Sequence, residues 1–110
     1  MYEEGVKTVG RLLVLYLFPG DDLARAVVAS RKVGGAVARN RAKRLLRVAI
    51  RDVIETPCGA AARIHRQVWP DAPVGDGLWV VTVARARILG ATAPDVTAEL
   101  EHLLNRFSDQ

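Results

Sequence analysis

Residues 30–51 read SRKVGGAVARNRAKRLLRVAIR, and the rest of the chain is best understood outward from this stretch. It opens on a turn carrying Gly34 and Gly35, residues that reach backbone conformations denied to others and let the chain approach a neighbour closely. Over residues 39–54 the apolar positions Ala42, Leu45, Leu46, Ala49, Ile50 and Val53 recur at spacings of three and four, which predicts a helix with one apolar stripe. The opposite face is nearly all cation. Arg39, Lys43, Arg44, Arg47 and Arg51 project there, with Arg41 on the flank, along a rod of about 24 Å at the usual helical rise. An ordinary solvated helix face mixes its charges so that acids and bases pair three and four residues apart. Here eight of the sixteen basic residues fall between positions 31 and 51 with no acid among them, so they repel one another unless an anionic partner meets them. A rod of that length suits a phosphate backbone.

On the N-terminal side, residues 11–18 (RLLVLYLF) are too short and too continuously apolar for a surface helix, and their Val, Tyr and Phe favour a strand. Alternation sets Leu12, Val14, Tyr16 and Phe18 on one side and Leu13, Leu15 and Leu17 on the other, and both sides are expected to be covered. Pro19, Gly20, Asp21 and Asp22 make a turn, and residues 23–30 supply a second strand expected to hairpin with the first. Residues 1–10 read as short and polar, punctuated by Gly5 and Gly10.

On the C-terminal side, Pro57 and Gly59 end the basic helix. Residues 57–77 read as a loop insertion within a single domain spanning 1–110. Residues 60–68 have the makings of a short helix with Arg63 and Arg66 on one side, before Pro70, Pro73, Gly75 and Gly77 enforce loop. Residues 78–84 (LWVVTVA) form another strong strand, running out into Arg85 and Arg87. The closing helix begins near Thr92, which with Asp95 makes a capping-box pattern, Pro94 standing where a missing amide proton does no harm. Its stripe is Val96, Leu100, Leu103, Leu104 and Phe107. The order strand, strand, basic helix, strand, helix predicts a helix-on-sheet sandwich with one helix face left for a partner.

Composition narrows the partner. A chain of 110 residues builds one modest core, and half its residues being apolar argues against disorder. The net charge of +4 is unevenly spread: residues 1–55 hold eleven basic and six acidic groups, residues 56–110 five and six, so the first half meets the partner. Such a field points to nucleic acid before an anionic membrane. Cys58 stands alone, which excludes an internal disulfide and a cysteine zinc site and fits a reducing compartment. The N-terminus lacks the pattern of a secretory signal, and the longest apolar run has seven residues where a membrane helix needs roughly 20. A soluble, cytoplasmic protein is expected, with no membrane and no protein partner evident.

Catalytic chemistry is not legible. A protein nuclease needs a metal-binding carboxylate cluster or histidines placed for acid and base work, but the acids are scattered and His65 and His102 read as surface side chains on different elements. No catalytic and no metal-ligating residue is therefore assigned. Arg39, Arg41 and Arg47 can fork onto phosphate oxygens, Asn40 can donate and accept at a base edge or ribose hydroxyl, and Tyr16, if exposed, offers a stacking surface. DNA recognition by this helix would want a helix-turn-helix partner or a dimer-forming zipper, neither of which is readable.

The string SRKVGGAVARNRAKRLLR, residues 30–47, resembles the signature of the protein subunit of bacterial ribonuclease P, whose hallmark is the Arg-Asn-Arg core found here as Arg39, Asn40 and Arg41. The resemblance extends through the LVLY segment (residues 13–16) to the VVTVAR strand and the final helix. It implies an α+β two-layer sandwich like a ribosomal small-subunit protein domain, with a left-handed strand-helix-strand crossover that pattern alone would not predict. It also implies an endoribonuclease in which a catalytic RNA, with magnesium, hydrolyses the bond joining a 5′ leader to precursor tRNA, while the protein binds both RNAs and does no bond chemistry. By position, Arg39, Asn40, Arg41, Lys43, Arg44, Arg47 and Arg51 would face the RNA subunit. Tyr2, Tyr16, Arg31, Lys32 and Arg85 would line the leader cleft. Against the resemblance, two departures are expected: the sequence starts at about where the first family helix would end, so that either Met1 is not the natural start or the cleft lacks one wall, and the 57–77 segment is longer than typical. A ribosomal or chaperone-like RNA-binding domain with no enzymatic role is the alternative.

Overall fold

A computed structural model of the chain describes residues 5–20, 23–55, 60–69 and 77–108. Four strands, β1 (Val6–Val9), β2 (Leu13–Gly20), β3 (Leu23–Val28) and β4 (Gly77–Ala84), form one mixed sheet in the order β1-β2-β4-β3. Three helices, α1 (Ala36–Ile50), α2 (Ala60–Val68) and α3 (Ala93–Ser108), complete the α+β architecture. Helices α1 and α3 pack side by side, α1 against β3 and β4 and α3 against β2, while α2 packs against β4 and α3.

The sheet corrects three expectations. Strands β2 and β3 do not hairpin: β4 lies between them, antiparallel to β2 (Tyr16 opposite Val81) and parallel to β3 (Val28 opposite Val83). The reason is burial. Strand β4 turns Leu78, Val80, Thr82 and Ala84 fully into the core, whereas β3 is exposed along most of its length and suits an edge. Nor is β2 covered on both sides. Leu13, Leu15 and Leu17 are completely buried, but Val14, Tyr16 and Phe18 are only half-buried, because the helices cover one face. Finally, the polar N-terminal stretch contains β1, which pairs antiparallel with β2. Four residues, Val6 to Val9, are too few to display a period.

Helix α1 starts earlier than its stripe suggested, at Ala36, and continues into a π-helical turn over Arg51–Glu55. The wider turn carries Ile54 into the core, leaving Val53 half-buried. The stripe Ala42, Leu46, Ala49 and Ile50 meets Leu13, Leu15, Leu17 and Val80 from the sheet and Val96, Leu100, Leu103 and Leu104 from α3 in one cluster. Each fully buried leucine contributes about 1.5–3 kcal/mol. Phe107's side chain lies outside the described residues.

Residues 60–68 form α2, which turns Ile64 and His65 inward. His65, expected at the surface, is only 2% exposed: its ring meets Trp69 edge-on and its Nδ1 bonds the Gly77 carbonyl. The remainder of the 57–77 segment, residues 57–59 and 70–76, lies outside the described residues, as does the turn at Asp21 and Asp22. The capping box at α3 is present as expected, Thr92 N–H donating to Asp95 Oδ2 (3.0 Å) and Asp95 N–H to Thr92 Oγ1 (3.3 Å).

Candidate nucleic-acid interface

The turn between β3 and α1 is built by local rules. Val33 N–H donates to the Ser30 carbonyl (3.0 Å), Gly34 N–H to the Arg31 carbonyl (3.1 Å), and Lys32 N–H to Ser30 Oγ (3.3 Å). Gly34 has φ +147°, and a side chain there would stand 2.9 Å from Ala38 Cβ, so position 34 requires glycine. Gly35 caps α1 with no side-chain hydrogen bond, and no acid occupies the first turn. The helix therefore presents open amide groups and the positive end of its dipole beside Arg39 and Arg41.

The cations are largely free to meet a partner. Arg41, Arg44, Arg47 and Arg51 are exposed, as is Asn40, while Arg39 and Lys43 are half-buried. Arg39 Nε is buried and has no hydrogen-bond partner among the described residues. The ion pairs among the described residues are Arg51 with the adjacent Asp52 (3.3 Å) and Arg25 with Glu55, so of this face only Arg51 has an acid beside it. Val37, in the first turn, is 84% exposed, an apolar side chain standing among charges.

Across the sheet from the helices lies a face that no described helix covers. Val9, Val14, Tyr16, Phe18, Val28, Trp79, Val81 and Val83 share it by register. Lys7 places its ammonium 5.7 Å from the centre of the Tyr16 ring. Contiguous apolar surface of this kind marks an interaction site. Of the residues assigned to the leader cleft, Tyr16 sits mid-face, Arg31 and Lys32 lie exposed in the β3–α1 turn, and Arg85 follows β4 in extended conformation on the same face as Val81 and Val83. Arg85 is roughly 13 Å along the strand from the level of Tyr16, so the two share a surface without touching. Tyr2 lies outside the described residues.

The topology collects charge that the sequence kept apart. The C-terminal ends of β3 and β4, the bend between β1 and β2, and the start of α1 all lie at one end of the sheet. Arg31, Lys32, Arg39 and Arg41 therefore share that end with Arg85, and also with Arg11 and Arg87, which sequence reasoning did not select. Arg87 follows Arg85 two residues on, whereas Arg11 stands alone in its own segment and is brought to them by the pairing of β2 with β4. Among the described residues no three His, Cys, Asp or Glu side chains gather as a metal site would require.

The sequence model of the family described as Ribonuclease P matches residues 1–108. The chain belongs to the ribonuclease P protein family. It is 31% identical over 107 residues to the ribonuclease P protein component of a Nitratiruptor species, covering 97% of this chain and 82% of that protein. With the ribonuclease P protein component of Symbiobacterium thermophilum it shares 30% identity over 109 residues, covering 96% and 80%. The solved RNase P protein from Thermotoga maritima superposes with a TM-score of 0.64 over 96% of this chain and 86% of that one, at 22% identity, and so supports the fold alone. Within the ribonuclease P protein family's fold, Arg39, Asn40 and Arg41 occupy the first turns of α1, beside the turn that Gly34 makes possible.

Proposed function

We propose that this protein is the RNA-binding subunit of a ribonuclease P ribonucleoprotein that removes the 5′ leader from precursor tRNA. Helix α1 docks on the catalytic RNA through Arg39, Asn40, Arg41, Lys43, Arg44 and Arg47, with Arg51 at the margin. The open sheet face around Tyr16, flanked by Arg31, Lys32 and Arg85, holds the single-stranded leader. The observation that carries this reading is the unpaired cationic face of α1: Arg41, Arg44 and Arg47 are exposed with no acid within ion-pair distance among the described residues. A folded polyanion supplies the missing counter-charge.

The chemistry follows from this division of labour. Bond cleavage belongs to the catalytic RNA and its magnesium; the protein's described residues offer no carboxylate cluster to hold a divalent ion. What the side chains contribute is binding. Contacts to the leader exist for precursor and vanish for product, so they raise precursor affinity selectively, each 1.4 kcal/mol being about tenfold. A stacked base on an aromatic ring contributes about 1–3 kcal/mol of that preference. The site of action is the cytoplasm.

Reconstitution tests the reading. Added to the catalytic RNA at low magnesium, the protein is expected to stimulate turnover of precursor carrying leader nucleotides and to do little for a substrate without them. Stimulation indifferent to the leader would point instead to a general RNA-binding domain.

A further inference from the structure

Where β1 bends into β2, Arg11, Arg85, Arg87 and Arg106 surround a cavity of about 960 Å³ whose apolar wall includes Leu12 and Leu103. Two carboxylates, Asp95 and Glu99, also line it, so the guanidinium groups outnumber them two to one. Both acids are already engaged. Glu99 Oε2 accepts the backbone N–H groups of Leu12 (2.7 Å) and Leu13 (3.1 Å), and Asp95 Oδ2 accepts that of Thr92 (3.0 Å). Two of the arginines are each held by one bond, Arg85 Nη1 donating to the Gly10 carbonyl (2.9 Å) and Arg106 Nη1 to that of Val9 (3.4 Å). Their remaining donors make no further side-chain hydrogen bond to a described residue. Arg11 and Arg87 are exposed, and neither forms an ion pair with a described residue.

Forked cationic donors beside an apolar wall match a nucleotide, whose phosphate takes paired N–H groups and whose base and sugar cover apolar surface. The cavity also continues the open face. Arg85 stands on the Tyr16 side of the sheet, whereas Glu99 and Leu103 belong to the helix layer, so the pocket wraps round the sheet's end. We propose that single-stranded RNA lying on the open face turns this end past Arg85 and seats one nucleotide in the pocket, its phosphate held by Arg11, Arg87 and Arg106. The inference rests on the leader-binding reading above and extends it to three arginines which that reading does not include.

The test uses the full chain and two RNAs: a labelled single-stranded oligonucleotide of about ten residues, within the usual span of single-strand binders, and the structured catalytic RNA. Arg11→Gln/Arg87→Gln is expected to weaken the oligonucleotide about fivefold or more and to make the log–log salt dependence shallower by about 0.7 for each phosphate no longer neutralised. Arg41→Ala, run in parallel, reports docking through α1 on the catalytic RNA. Unchanged oligonucleotide affinity and salt slope in the double variant overturn the pocket while leaving α1 docking intact. Wild-type protein that binds neither RNA overturns the parent reading and the pocket with it. A measurement on unmutated protein guards against misfolding: the Arg11 and Arg87 Nε–H resonances are expected to move with millimolar adenosine 5′-monophosphate and not with adenosine. Resonances that respond to neither overturn the proposal.

Discussion

Glu99 on α3 accepts the backbone N–H of Leu12 at 2.7 Å, across 87 positions of sequence, and that of Leu13 at 3.1 Å. The carboxylate closes the bend between β1 and β2 and ties it to the helix layer. Gly10 allows the approach, since a side chain there would stand 2.7 Å from Glu99 Oε2. Replacing Glu99 by Ala leaves two part-buried donors without their acceptor and is expected to lower unfolding stability by about 1–3 kcal/mol. Urea denaturation measures this; a loss below about 0.5 kcal/mol, the scale of an ordinary surface change, would mean the bend is held by other means.

Gly34→Ala should act through the backbone. At φ +147° only glycine is unstrained, and the added methyl meets Ala38 Cβ at 2.9 Å, so a destabilisation of about 1–3 kcal/mol is expected. Because this turn sets where α1 begins, affinity for the catalytic RNA is expected to fall as well, which a binding titration at a temperature where the variant remains folded would detect.

Much of this architecture was legible for a physical reason: in α1 the apolar period and the cationic face agree, so Ala42, Leu46 and Ile50 mark the core as clearly as Arg41, Arg44 and Arg47 mark the partner. The capping box of Thr92 and Asp95 is local and was equally readable. What escaped depends on distant segments. Nothing near Leu23 says that β4 will come between β3 and β2, and the pocket of Arg11, Arg87 and Arg106 exists only after the strands are in register. His65 looks polar in sequence, and its burial depends on the Gly77 carbonyl, twelve residues on.

Arg41 and Arg51 separate the open part of the cationic face from the paired part. Arg41 has no acid within ion-pair distance among the described residues, whereas Arg51 has Asp52 beside it at 3.3 Å. Arg41→Ala is therefore expected to weaken catalytic-RNA binding by about 1–3 kcal/mol, with a smaller loss for Arg51→Ala. Equal losses, or none in either, would remove the distinction.

The α3 cap carries a pH dependence. Hydrogen bonds from the Thr92 backbone and then its side chain hold the Asp95 carboxyl below its usual value of 3.8. A folded-state value below the unfolded one means that the stabilisation is complete above the ordinary carboxylate range and is lost as pH falls through the lowered folded value. The difference in thermal midpoint between wild type and Asp95→Asn is accordingly expected to be present at neutral pH and to shrink in strong acid. A difference that stayed constant into acid would show that the charge of Asp95 takes no part in the cap.

His65 offers the most direct check on the buried side of α2. A carbonyl oxygen can only accept, so the 2.5 Å contact between Nδ1 and Gly77 O requires a hydrogen on Nδ1, while Nε2 is buried and unpartnered among the described residues. Long-range nitrogen–proton spectra at neutral pH should accordingly report Nδ1 as the protonated nitrogen, the less common form for a free imidazole. His65→Ala removes both this tie to β4 and the edge contact with Trp69, with an expected loss of about 2–3 kcal/mol. A spectrum with the hydrogen on Nε2 would instead mean that α2 is not anchored to the start of β4 through this ring.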